Sequence, residues 1–184
     1  MKKIEEILQN RTATPKEALE VFDKLEVANI DFMLGRWKGF DIETGHKMDG
    51  LLVPSGWYGK LFKNSEEVHP LLFYAKNKTN LYSVNPKFLP LKIKFPKSNV
   101  IGIIIKLARP VLQTNHSKAR LRMVEYRSKV TASMCYDEKA IIDHFAKIDE
   151  NTVMGIMDQK GDIKPYFFIL ERDNQSDLKQ AFKN

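Results

Sequence analysis

The apolar positions of this chain change their spacing near Gly35. Before it, "TATPKEALEVFDKL" sets Leu19, Phe22 and Leu25 at three-residue steps, which predicts one buried face of a helix. Thr14 as N-cap, Pro15 at the first helical position and Glu17 as reciprocal partner give that helix a capping box. After Gly35 the chain breaks into short runs rich in aromatic and β-branched residues, separated by "ETG", "NKTN", "NPKFLP" and "KGD". Strands and turns are expected there.

The best strands are "VHPLLFYA", "NVIGIIIK", "ARLRMVEYR", "KVTASMCY", "NTVMGIMD" and "PYFFILER". In the third, Leu121, Met123 and Glu125 alternate with Arg120, Arg122, Val124 and Tyr126; in the fourth, Val130, Ala132, Met134 and Tyr136 alternate with Thr131, Ser133 and Cys135. The link "YRSK" makes these two an antiparallel hairpin. "DEKAIIDHFAKI" reads as a short helix over residues 138–146, capped by Asp137 with Ile141, Ile142 and Phe145 inward. "NPKFLPLKIKFPKSN" holds three prolines and reads as a long basic loop or an edge, and "DNQSDLKQAFKN" as a loose tail or short surface helix. Many short strands with frequent turns predict a mainly β fold, a sandwich or a closed barrel, because closure removes the edges of an antiparallel sheet.

Composition narrows the setting. The 184 residues are 43% hydrophobic, enough for one sizeable core, and no repeat or linker divides them, so residues 1–184 are expected to be one domain. Glu5 and Glu6 stand where a secretory signal needs apolar residues, and "VIGIIIKLA" is far shorter than a membrane span. A lone cysteine, Cys135, forms no internal disulfide and fits a reducing, cytoplasmic location. The net charge of +7 is concentrated in the middle: Val68 to Val130 holds thirteen Lys or Arg against a single acid, Glu125. Such a field calls for an anionic partner.

"FMLGRWKGFDIETGH", "GLLVPSGWYGKLF" and "VHPLLFYA" resemble the GXWXG domain, and "KARLRMVEYR", "ASMCYDEKAIIDHFAKIDENTVMGIMDQKG" and "PYFFILERD" resemble the domain of unknown function that usually follows it. The resemblance covers roughly residues 20–173, with a GXWXG-like segment at 20–80 and a C-terminal segment at 115–173 that completes the same barrel. Ser128 stands where the family pattern has glycine. The family implies a β-rich fold and no established reaction. Gly-x-Trp opening a first strand also resembles lipocalins and other calycin-like ligand-binding barrels. That likeness implies Trp37 as a plug for one end, Arg172 stacked over its ring, and Gly35 and Gly39 allowing close backbone approach. "GRWKG" alone resembles the nitrobindin type of haem barrel, but "VMGIMDQ" and "PYFFILER" lack the histidine that would hold iron, so no cofactor is expected.

Several residues carry candidate chemistry. Trp57, Tyr58 and Lys60 combine flat aromatic surface with a positive head, suited either to a ligand or to packing. Arg120 and Arg122 could hold a carboxylate or phosphate, or simply face solvent, while an inward Glu125 would need a partner. His144, Asp143, Asp137, Tyr136 and Tyr126 could perform acid–base work or serve packing and capping. His46, His69 and His116 lack metal-ligand spacing, so no metal site is expected.

The leading expectation is a barrel that binds a small hydrophobic or amphiphilic molecule with an anionic head, such as a fatty acid. A small enzyme using the same cavity is the alternative. The basic segment 68–130 also suits an anionic membrane surface or single-stranded nucleic acid; the absence of an RRM, KH or zinc-finger motif sets nucleic acid last.

Overall fold

The computed structural model describes residues 2–75, 79–89, 100–173 and 179–180. Two helices lead, α1 (Lys2–Asn10) and α2 (Pro15–Phe22), followed by β1 (Glu26–Val27) and the single turn α3 (Ile30–Met33). Then come β2 (Gly35–Ile42), the turn α4 (Leu52–Ser55), β3 (Trp57–Phe62), β4 (Val68–Tyr74), β5 (Asn80–Val84), helix α5 (Val100–Leu112) and β6 (Gln113–Thr114). The last long strands are β7 (Ala119–Tyr126), β8 (Lys129–Tyr136), β9 (Ile141–Asp149), β10 (Thr152–Gln159) and β11 (Tyr166–Arg172), with a short β12 (Lys179–Gln180).

Eight antiparallel strands, in the order β4–β3–β2–β11–β10–β9–β8–β7, close into a barrel when Val68 of β4 pairs with Ala119 of β7. That seam is short. Beyond it β4 turns its later residues, Leu72 to Tyr74, to β5, so β5 and β7 diverge. Helix α5 lies in the chain between them and packs on α4 across Gly102, where a Cβ would meet the Pro54 carbonyl oxygen at 2.4 Å. The barrel is therefore closed by hydrogen bonds at one end and by a helix at the other.

Two apolar layers result. Inside lie Trp37, Trp57, Phe62, Phe73, Met134, Phe145, Met157 and Phe168 among others; outside, α1 and α2 cover β2, β9, β10 and β11 with Ile7, Val21 and Phe22 against Ile42, Ala146, Met154, Ile156 and Phe167. The capping box forms as the sequence predicts, with Thr14 and Glu17 bonded reciprocally. The helix ends at Phe22, so Leu25 falls just past it.

The structure corrects four expectations. "IIDHFAKID" is strand β9, not a helix at 138–146. Ile141 and Phe145 face the barrel interior while Ala146 packs under the outer helices, so burial on both sides hides the strand's alternation. Conversely, "VIGIIIKLARPVL" is helix α5 and not a strand: a continuous apolar run carries no period, and its β-branched content pointed the wrong way. Glu125 is exposed, as is Met123, because the β7–β8 hairpin runs past the barrel and leaves that face without an opposing sheet. Its other face is the covered one, with Tyr126 edge-on to Phe22 of α2. In the tail, Lys179–Gln180 pairs in parallel with β5 instead of forming a helix. Residues 90–99 of the proline-rich basic stretch lie outside the described residues, and Pro86–Phe88 before them form a 3-10 turn.

Candidate functional site

Strand β3 is irregular at Gly59, where its pairing with β4 shifts register twice. A Cβ at this position would lie 2.0 Å from the Trp37 carbonyl oxygen, so no side chain fits. The extra residue lets Trp57, Lys60 and Phe62 all reach the interior, while Tyr58 and Leu61 pack together outside. From the opposite wall, Met134, Asp143, Met157 and Tyr166 share one rung across β8, β9, β10 and β11.

Lys60 and Asp143 meet in this interior. Lys60 Nζ donates to Asp143 Oδ2 at 2.8 Å and to the Pro70 carbonyl at 3.3 Å, and the two side chains are 4% and 1% exposed. The ammonium also lies 5.0 Å from the Phe168 ring centroid and 5.8 Å from those of Trp57 and Tyr136, an aromatic enclosure that favours a cation. Tyr136 Oη approaches Asp143 Oδ2 at 3.5 Å. Burial pushes the Asp143 carboxyl above its ordinary range against the pull of Lys60; burial, then Asp143, push the Tyr136 hydroxyl well up. Three polar atoms nearby have no hydrogen-bond partner among the described residues: Trp57 Nε1, Asp143 Oδ1 and Tyr166 Oη.

Beside this polar centre lies a cavity of about 270 Å³. Trp57, Tyr136 and Met157 form its inner wall, Leu71 and Phe73 of β4 one side, and Ile101, Ile105 and Leu112 of α5 its roof. Its lining is almost wholly apolar. The volume is near the lower end of small-molecule sites, which run from about 300 to 1,000 Å³.

The structure sorts the predicted residues by location. Of the acid–base candidates, Asp143 and Tyr136 come together inside. His144, on the outer face of β9, bonds Ser133 through Nδ1 at 2.8 Å and stacks on Tyr126 at 3.9 Å; burial lowers its pKa to about 4. Asp137 is exposed and pairs with Arg120 at 3.3 Å. Of the ligand candidates, Trp57 lines the cavity and Lys60 lies behind it, whereas Tyr58 packs outside against Tyr74 and bonds Asp173. Arg120 is exposed, and half-buried Arg122 pairs with Glu66 at 2.8 Å, so neither enters the cavity. The pairing of Lys60 with Asp143, 83 residues apart, and the part of Tyr166 had no signal in the sequence.

"GRWKG" is used twice. Arg172 Cζ lies 4.2 Å from the Trp37 ring centroid, its guanidinium donates to the Leu34 and Phe32 carbonyls at 2.8 and 2.7 Å, and Trp37 Nε1 donates to Met33 at 2.8 Å. Trp37 is fully buried. Gly39 serves the other tryptophan: a Cβ there would overlap the Trp57 ring at 2.3 Å. Gly35, opening the strand, has φ 115°, a conformation that favours glycine.

A crystal structure of a protein from Thermomonospora curvata is similar over 94% of this chain and 97% of its own, with 29% sequence identity and a TM-score of 0.71. No curated protein is significantly similar to the chain. Among the described residues no helix is long and apolar enough to cross a membrane. Residues 20–78 match the GXWXG protein family, and residues 117–172 match the domain of unknown function DUF4334. Trp57 and Lys60 come from the first segment, Tyr136 and Asp143 from the second, so the candidate site exists only where the two meet. The chain thus carries a GXWXG domain followed by the domain of unknown function DUF4334.

Proposed function

We propose that the cavity binds a small hydrophobic or amphiphilic molecule, its apolar part beneath α5 and its polar head toward Tyr136 and the Lys60–Asp143 pair. The carrying observation is an apolar cavity whose inner wall is backed by a buried ion pair. Such a pair is a poor stabiliser, since apolar replacements of similar volume are often neutral or better. A ligand head gives it a reason to be there.

An anionic head changes the proton count. Lys60 is already neutralised by Asp143, so a carboxylate can take Lys60 only if Asp143 takes a proton, which its burial favours. Binding of a carboxylate is then accompanied by uptake of about one proton and tightens as pH falls. Native mass spectrometry of freshly purified protein tests the class directly: a co-purifying amphiphile is the expected result. An empty protein that also fails to displace a fluorescent fatty acid would end the proposal.

A second reading, an enzyme, is favoured by the meeting of Asp143, Lys60 and Tyr136 at one end of the cavity. In that case Asp143→Asn binds the substrate and fails to turn it over, whereas for a binding protein the same change leaves no reaction to lose.

A further inference from the structure

Helix α5 is apolar on both sides. Ile101, Ile105 and Leu112 are buried toward the cavity, Ile104 stands at its edge, and Val100, Ile103, Leu107 and Val111 form a second stripe at helical spacing. That stripe is open: Leu107 is 77% and Val111 70% exposed. An apolar stripe of this length calls for an apolar setting, and no described residue covers this one.

Charge selects the occupant. Helix α5 has no acidic residue and exposes Lys106, while half-buried Arg109 lies over the Tyr82 ring at 4.4 Å and donates to Gln113 at 2.8 Å. A second copy of the chain docked through this face would set Lys106 against its own counterpart with no acid of α5 to offset it, because a two-fold contact joins the same patch on both subunits. An anionic lipid surface satisfies both demands, taking the apolar stripe at the acyl boundary and Lys106 among the headgroups. With thirteen residues, α5 is about 20 Å long, too short to span a bilayer and suited to lying in its surface. We infer that the outer face of α5 docks on anionic membrane. The inference stands on that outer stripe alone and holds whatever the cavity takes. Docking would also bring the cavity's roof to the membrane, where hydrophobic molecules are dissolved.

The test is flotation of the full chain with phosphatidylcholine vesicles, with and without phosphatidylglycerol, beside the variant Leu107→Asp/Val111→Asp. Both side chains are exposed, so the variant keeps the wild-type melting temperature, which is measured alongside. The expected result is wild-type flotation with the anionic vesicles that weakens with added salt and drops at least about tenfold in the variant. Lys106→Gln gives a smaller loss, about fivefold. No flotation with anionic vesicles, equal flotation with both vesicle types, or a folded variant that floats like wild type would overturn the inference. So would a wild-type dimer in solution that the variant dissolves, since a second copy would then cover the stripe.

Discussion

Two tryptophans, 20 positions apart, sit at opposite ends of the same barrel and differ in how completely the protein satisfies them. Trp37 has a guanidinium 4.2 Å above its ring, a carbonyl on its indole nitrogen, and full burial. Trp57 has an ammonium at 5.8 Å that belongs to another pair, no partner for its nitrogen among the described residues, and one side on a cavity. Around Trp37 the indole nitrogen and the Arg172 guanidinium both have backbone carbonyl partners. Around Trp57 the fold leaves polar groups over, and unpaired buried polar atoms are costly enough that a protein seldom keeps them without a use. Unpaired atoms alone do not mark the site, since His144 Nε2 and Asp49 Oδ1 are also without partners among the described residues; their meeting with an apolar cavity separates the Trp57 end from the Trp37 end.

The largest expected effect is at Trp37. Trp37→Ala leaves a hole at the closed end and should cost about 3 to 5 kcal/mol by chemical denaturation. Arg172→Ala should cost less, since an arginine contributes stem packing and stacking but leaves a smaller void. Neither should alter ligand affinity in the protein that remains folded.

The next effect lies outside the barrel. Burial holds the His144 pKa at about 4, below its unfolded value near 6.5. As pH falls through that window the unfolded chain takes a proton that the folded chain refuses, so this stability is full above about pH 6.5 and is lost toward pH 4. The loss is up to about 3 kcal/mol. His69, with its pKa lowered to about 4 chiefly by burial, acts in the same direction. Thermal melts across this range should be flatter for His144→Gln than for wild type, with ligand affinity unchanged at neutral pH.

Gly39→Ala drives a methyl into the Trp57 ring and should cost about 1 to 3 kcal/mol. Because that ring lines the cavity, this variant should also change ligand affinity, unlike the changes at Trp37. The smallest effect belongs to the β7–β8 turn, where Arg127 and Ser128 have φ of 51° and 62°. Both positive values fit the two-residue hairpin turn that prefers glycine. Ser128→Gly should stabilise by about 0.5 to 1 kcal/mol and leave binding alone.

What the sequence made legible follows the same physics. The β7–β8 hairpin was legible from its two strand-forming runs and short link, and the α2 capping box is local chemistry that distant contacts do not alter. Strand β9 and helix α5 were exchanged because each is apolar on two sides, one between the barrel core and the outer helices, the other between the cavity and an open face. Periodicity has nothing to read there. In the candidate site, Trp57, Lys60, Asp143 and Tyr136 were recognisable as chemistry-bearing residues. Their meeting depends on the Gly59 irregularity and on closure of β4 against β7, both long-range facts. His144 drew attention for its neighbours in sequence, but successive strand residues face opposite ways, so Asp143 took the inside and His144 the outside.

The most direct test of the central claim is the double variant Lys60→Met/Asp143→Leu, assayed for both melting temperature and retention of a fluorescent fatty acid. If the pair is kept for a ligand's head, apolar replacement should leave stability unchanged or raised by about 1 to 4 kcal/mol while affinity falls at least about tenfold. Lys60→Met alone, by stranding Asp143, should destabilise by about 3 to 5 kcal/mol and so establish that the pair is intact in the wild type. A double variant that is stable and still holds the probe as tightly would contradict the account, as would one that unfolds, since the pair would then be serving the fold and not the cavity.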